Sequence, residues 1–291
     1  MSELHTPSTS QTKPDYLKIG STSGQRGAEI IAALRAKMNP SPVARALTSR
    51  NGRLIAQLLQ WLPGDKTAFN YVPARHQCIT ALTRQAISTK GASPTIVEVA
   101  AGFSGRGLQL AAELPHAKII EVDLPTVIET KLARLRQAVN LPIPTNIRWL
   151  KTNLEHTSLA QLLSGEKANI VIAEGLLIYF EPAMITRIAK GIYDSLSENG
   201  VLIADIYYRQ GLTEAATASG AATKMMQRQA GKFLGIAKDE TMAKAFFTQA
   251  DFHHVDVYQL KQLSGNLQIP YAVPNAGFLI VAYKRRPSVS A

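Results

Sequence analysis

The spacing of apolar residues changes character at about residue 93. Before it the pattern is helical: Ile30, Ile31, Ala33 and Leu34 share one face of residues 28–38. Asn39-Pro40-Ser41-Pro42 breaks that helix, and further helices are predicted over 43–49, 52–61 and 70–89, with Pro63-Gly64 stopping the third. Residues 1–15 are polar and expected to be disordered, with helix beginning near Asp15. Beyond residue 93, short β-branched runs (95–100, 119–122, 146–150, 170–173, 201–206) alternate with helical stretches from Leu108 and over 126–139, 159–163 and 182–196. That alternation predicts an α/β fold with a doubly wound parallel sheet. Two further extended runs, 255–260 and 278–283, end the chain. Residues 208–250 are rich in Ala, Gly, Thr and Met (Met225, Met226, Met242) with weak helical patterning. An insertion after strand five lies at the carboxyl ends of the strands, so a lid over a ligand crevice is expected there. The division expected is an arm and helical cap over 1–92 and a ligand-binding domain over 93–291.

The first strand leads into Gly102, Gly105 and Gly107, and the second ends in Asp123. Strand, glycine turn, helix, strand and acid make a nucleoside site, the acid suiting the paired hydroxyls of a ribose. The glycines read G-x-x-G-x-G, not the G-x-G-x-x-G that brings backbone up to a pyrophosphate. Glu98 and Arg106 border the same turn. An acid there repels a diphosphate and suits a ligand bearing ammonium or sulfonium. S-adenosylmethionine has both and no phosphate, and is favoured over a nicotinamide cofactor, which stays open as the alternative. Glu98 and Glu174 end strands one and four and are expected to face the methionine part of that ligand. Asn153, at the end of strand three, can serve an adenine as donor and acceptor, or simply close an Asx turn.

Three ordered blocks carry a resemblance: Val97-Glu98-Val99-Ala100-Ala101-Gly102-Phe103-Ser104-Gly105-Arg106, then Glu121-Val122-Asp123-Leu124-Pro125, then Ala173-Glu174-Gly175-Leu176-Leu177-Ile178-Tyr179-Phe180. They resemble the leucine carboxyl methyltransferase family and its bacterial branch of polyketide-type (tetracenomycin-like) O-methyltransferases. Arg75 is a fainter fourth match. The chain departs from the family's pattern at Ser104-Gly105, where members carry Asp-Thr, and at Gln109, where they carry arginine. The resemblance implies a class I methyltransferase-like Rossmann sheet with antiparallel C-terminal strands, S-adenosylmethionine as cofactor, and methyl transfer to oxygen. It also implies Arg75 on the donor carboxylate and Glu174 near the ammonium. Ala100, Gly102, Leu124, Leu154 and Gly175 complete the expected cofactor contacts. Tyr179 and Tyr207 are the catalytic candidates at the methyl or the acceptor, with Tyr208 and Arg209 beside them. A small-molecule or natural-product acceptor, free or carried on a protein or peptide, is the expected substrate. A protein carboxyl methyltransferase and an NAD(P)-dependent oxidoreductase are the alternatives.

The net charge of +11 is lopsided, residues 1–92 holding 12 Lys or Arg against 4 acids. The bases are scattered singly, so a solvated face is expected, not a nucleic-acid partner. No apolar run is long enough to span a bilayer, and no membrane partner is expected. A single cysteine, Cys78, forbids an internal disulfide, and with no apolar signal core at the N-terminus a cytoplasmic location is expected. A homodimer stays open. None of His5, His76, His116, His156, His253 and His254 has a diagnostic partner in sequence, so no general base is named, and no spacing suggests a metal site.

Overall fold

The computed structural model describes residues 22–38, 40–61, 67–138, 141–219 and 233–285. The arm 1–15, the helical start near Asp15, the Pro63-Gly64 stop, Val139, Met225 and Met226 lie outside the described residues.

Four helices come first: α1 Thr22–Met38, α2 Pro42–Leu47, α3 Arg50–Trp61 and α4 Thr67–Ile87. The break between α1 and α2 is itself a helix start, since Ser41 Oγ accepts from Ala44 N at 3.0 Å and Pro42 takes the first helical position. The alternating part follows as β1 Thr95–Val99, α5 Arg106–Glu113, β2 Lys118–Asp123, α6 Pro125–Gln137, β3 Ile147–Lys151, α7 Leu159–Leu162, β4 Ala168–Ala173, a 3-10 turn Leu177–Tyr179, α8 Pro182–Ser195 and β5 Leu196–Tyr208. It closes with α9 Arg209–Ser219, β6 Ile236–Ala237, α10 Glu240–Thr248, β7 His254–Gln259, α11 Leu260–Asn266 and β8 Gly277–Tyr283.

The sheet runs β3-β2-β1-β4-β5-β8-β7, with β6 paired on β5. Strands β1 to β5 are parallel, whereas β8 is antiparallel to β5 and to β7, as expected of the C-terminal strands. Both faces are buried, which is why the strands read as continuous apolar runs. Ile96, Ile170 and Ile172 pack with α4, while Val97, Val99, Val171 and Ala173 pack on the other face with α8 and α10. Helix α4 therefore sits on the sheet itself, with Cys78 and Ile79 fully buried. Strand order reverses between β1 and β4, and the loops after β1, β2, β3 and β4 gather around the crevice this opens.

The described part of the expected lid, 208–219 and 233–250, packs into the fold, while 220–232 lie outside the described residues. Strand β6 belongs to the sheet, and α10 buries Ala243, Phe246 and Phe247 in the core, with Met242 a packing side chain against them. Asp239 caps α10, its Oδ1 accepting from Met242 N at 2.7 Å. Among the described residues of 208–250, none lines the crevice. Among the described residues the roof comes from α1, through Ala28, Ile31 and Arg35.

Candidate functional site

At one end of the crevice the geometry is made by backbone. Beyond β1 the chain adopts left-handed conformations at Ala100 and Gly102, both with φ +52°. These conformations turn the loop back toward β2, at a cost borne by the non-glycine Ala100. Gly102 N then donates to Asp123 Oδ2 at 2.6 Å, and Leu124 N donates to Asp123 Oδ1 at 2.7 Å. Each carboxylate oxygen is pinned by one amide and keeps one acceptor position for a ligand. Burial raises the Asp123 pKa, against the pull of those two amides. A Cβ on Gly102 would meet nothing closer than Ala28 Cβ at 3.7 Å, so the glycine serves the positive φ and leaves room beside the loop.

The middle of the cavity is apolar, with Ile31, Phe103, Leu124, Val127, Leu154 and Ile188 on its walls. Asn153 Oδ1 accepts from Glu155 N at 3.0 Å, closing the Asx turn, which leaves its amide nitrogen as the ligand-capable group. Arg134 stacks on Phe103 at 4.3 Å and donates to Leu47 O and to Glu29 of the roof helix, tying α6 to the cap. The cavity is about 170 Å³.

At the other end side chains converge from distant parts of the chain. Glu174 Oε1 accepts from Arg35 Nη2 at 2.7 Å and Arg75 Nε at 3.3 Å, and Oε2 accepts from Arg106 Nη2 at 2.5 Å with His76 Nδ1 at 2.8 Å. Arg106 Nη1 also donates to Glu98 Oε1 at 2.7 Å, and Arg75 Nη1 to Asp205 Oδ2 at 3.0 Å. Asp205 Oδ1 accepts from Gly175 N at 2.6 Å, fixing the turn after β4, where φ is +69° and a Cβ would sit 2.9 Å from Arg75 Nη2. Three arginines thus face three carboxylates in a buried web. Burial alone would raise the Glu174 pKa, but Arg35, His76 and Arg106 together outweigh it and hold it well below the carboxylate range. Burial, then the charge of Arg106, depresses His76 to about 3, so its ring is neutral. Burial raises Asp205, opposed by Arg75 and the Gly175 amide.

Of the residues singled out from sequence, Arg75, Ala100, Gly102, Asp123 and Leu124 line this one cavity, as do Asn153, Leu154, Glu174, Gly175 and Tyr179. Two do not. Glu98 is turned to Arg106 behind the loop, so it serves the web and does not face the cavity. Tyr207 is buried between Tyr71 and Phe233, ring centroids 5.4 and 4.8 Å away, and does not reach the cavity wall. Tyr208 bonds Gln210 at 2.8 Å and Arg209 opens α9, so neither lies on the wall. Glu174 differs from expectation in a specific way: its four partners occupy the acceptor positions an ammonium would need. Arg35, His76 and Asp205 were missed. The available signals were a lone arginine within the apolar face of α1 and a lone acid within the buried run of β5. The Nε of Arg35 is buried with no hydrogen-bond partner among the described residues.

Residues 32–193 match the family model described as leucine carboxyl methyltransferase. The chain belongs to that family. No curated protein sequence matches it. Among solved structures, a candidate O-methyltransferase of Nostoc punctiforme is 17% identical with a TM-score of 0.52, covering 73% of this chain, which spans 57% of that protein. Human N-acetylserotonin methyltransferase, solved with S-adenosylmethionine, is 14% identical with a TM-score of 0.51, covering 92% of this chain and 69% of its own. The plantazolicin methyltransferase, solved with S-adenosylhomocysteine and a substrate analogue, is 10% identical with a TM-score of 0.53, covering 91% and 100%. These likenesses place this member of the leucine carboxyl methyltransferase family in the methyltransferase fold.

Proposed function

We propose that the protein is an S-adenosylmethionine-dependent O-methyltransferase of the polyketide-type branch, acting on a hydroxyl or carboxyl of a small-molecule acceptor. The observation that carries this reading is Asp123, held by the Gly102 and Leu124 amides with one acceptor position left on each oxygen, as the two hydroxyls of a ribose require. The same bond argues against a nicotinamide enzyme, because the Gly102 N–H that a pyrophosphate would take already serves Asp123. The first amide of α5, Arg106 N, is likewise given to Ser104 Oγ at 3.1 Å.

The residues present fit the donor. Leu124, Val127 and Leu154 supply apolar walls for the adenine and Asn153 a polar edge. The unpartnered Arg35 Nε, with Arg75 beside it, suits the donor carboxylate. In this reading Glu174 orients the arginines and does not take the ammonium itself. S-adenosylmethionine, when bound, supplies a methyl group already activated by its sulfonium. The chain's part is to orient and to exclude water, which is worth up to roughly 7–11 kcal/mol.

Among the described residues lining the cavity's web end, no side chain is placed to act as base, and the unpartnered Oε2 of Glu98 lies off the wall. Glu174 has its acceptor positions filled, Asp205 is bonded to Arg75 and Gly175 and lies off the cavity wall, burial raises Tyr179 so that its phenol stays protonated, and His76 is held within the web. An acceptor that arrives as an anion, a carboxylate or an acidic phenol or enol, needs no such base. The family's description favours the carboxyl among these, which keeps a peptide or protein carboxylate as the second reading. Mass spectrometry of the protein incubated with S-adenosylmethionine and a panel of aromatic acids, acidic phenols, simple alcohols and peptides tests the proposal. A 14-dalton gain (the mass of one CH2) on the acidic small molecules is expected; transfer to none of them, or only to peptides, contradicts it.

A further inference from the structure

Helix α3 shows one face too many. Its inner face is seated on α1 so closely that a Cβ on Gly52 would lie 2.9 Å from Glu29 O, and Ala56 is buried beside it. The outer face carries Leu54, Leu58 and Trp61, spaced i, i+4 and i+7 over two turns, which are 56%, 62% and 87% exposed. They are three of the five large apolar side chains that stand exposed among the described residues. Because α3 is already anchored by its other side, this stripe is not a core face awaiting its own fold. Arg50 and Arg53 are exposed on the same side of the helix, and neither has an acidic partner among the described residues. The surrounding cap is poor in acids: residues 22–92 hold 10 Lys or Arg against Glu29 and Asp65, and Glu29 is paired with Arg134.

We infer that the outer face of α3 docks on an anionic membrane surface. Three side chains on a convex two-turn ridge cannot supply the roughly 800 Å² per partner that a stable protein interface buries. A second copy would also bring Arg50 and Arg53 against their own kind. A bilayer asks for less. Leucines enter the headgroup boundary, a tryptophan rests at it, and arginines at the rim meet anionic headgroups. This departs from the expectation that no membrane is a partner: among the described residues no helix is long and apolar enough to cross one, but surface attachment needs no span. The stripe lies one helix outward from the roof of the cofactor crevice, since α3 packs on α1, and the docking is independent of which reaction the crevice performs.

The chain's other tryptophan, Trp149, is partly buried and donates to Glu121 at 2.7 Å, so a change in tryptophan emission on adding vesicles reports Trp61. The full chain is mixed with vesicles of phosphatidylcholine alone or doped with phosphatidylglycerol, and co-sedimentation and emission are read together. Binding with a blue shift is expected on the doped vesicles only, reversed by salt. Trp61→Ala and Leu58→Gln should each weaken it about tenfold or more, and Arg53→Glu should do likewise, with the melting temperature unchanged because all three side chains are exposed. Equal binding to neutral vesicles, no binding, or indifference to all three substitutions would overturn the inference. So would an emission already blue in the absence of lipid that depends on protein concentration, the mark of a second copy on the stripe. Capture of an acidic protein through Trp61 without any vesicle binding would overturn it too.

Discussion

The two ends of the crevice are built on opposite principles. At Asp123 a few consecutive residues do the work: a glycine turn and the tip of one strand deliver two amides to one carboxylate, within 25 residues of sequence. At the other end seven side chains from α1, α4, β1, α5, the end of β4 and β5 form one web, four of them bonded to Glu174 itself. The first arrangement leaves acceptor positions open toward the cavity, while the second uses nearly all of its own. The lesson is that the two ends should fail differently. In the proposed reading the Asp123 end is a ligand site that folding should need little, and the Glu174 end a folding element that should hold the ligand site in shape.

Substituting the hub should show that difference most strongly. Glu174→Ala leaves Arg35, Arg75 and Arg106 buried with one carboxylate fewer, and breaking a buried ion pair in this way costs about 3–5 kcal/mol. Urea unfolding should register that loss before any binding is examined; a stability close to that of the native chain would mean that the web is ornamental. Next in size is the acid response of the same end. His76 is held to about 3 in the fold, whereas the unfolded chain protonates it below about 6.5, so the unfolded state gains protons first and stability falls on acidification. Between pH 6.5 and pH 5 the contribution is about 2 kcal/mol. The raised Asp123 and Asp205 act with the opposite sign, so the comparison is of slopes. The pH dependence of unfolding in His76→Asn should be shallower than in the native chain by that amount, and parallel curves would remove His76 from the account.

The ligand end gives the converse. Asp123→Ala should weaken S-adenosylhomocysteine by about 1–3 kcal/mol while changing the unfolding midpoint far less than Glu174→Ala does. Calorimetry and urea melts on the same two variants separate the cases, and a reversed ranking would invert the comparison. The smallest and most selective effect belongs to Arg35→Gln. It should weaken S-adenosylhomocysteine by about tenfold and leave 5′-methylthioadenosine, which lacks the amino-acid end, unchanged. Equal losses for both ligands would place Arg35 in the roof's packing alone.

The same contrast decides what could be read before the fold was known. Gly102, Asp123 and Leu124 were legible because their chemistry is local: a turn, a strand end and an acid in fixed order. The parallel sheet and the antiparallel last strands followed from apolar periodicity and the resemblance together. Arg35 and Asp205 were illegible because each makes sense only beside Glu174 or Arg75, more than 90 residues away in sequence for all but one of those contacts. Glu98 was misplaced for a related reason. It alternates to a buried face of β1, where Arg106 meets it, and the strand-end position alone did not reveal which face that was. The weak patterning of 208–250 hid the fact that its last part, with the Asp239 cap and the phenylalanines of α10, is an ordinary capped core helix. The crevice is roofed by α1, whose apolar face was visible in the sequence but whose destination was not.

The proposed function requires a crevice that accepts a charged adenosine ligand without phosphate. Isothermal titration of the native chain with S-adenosylhomocysteine and, separately, with NADH tests it most directly. Saturable binding of S-adenosylhomocysteine and none of NADH is the predicted result; tighter binding of NADH, or heat from neither ligand, would contradict it.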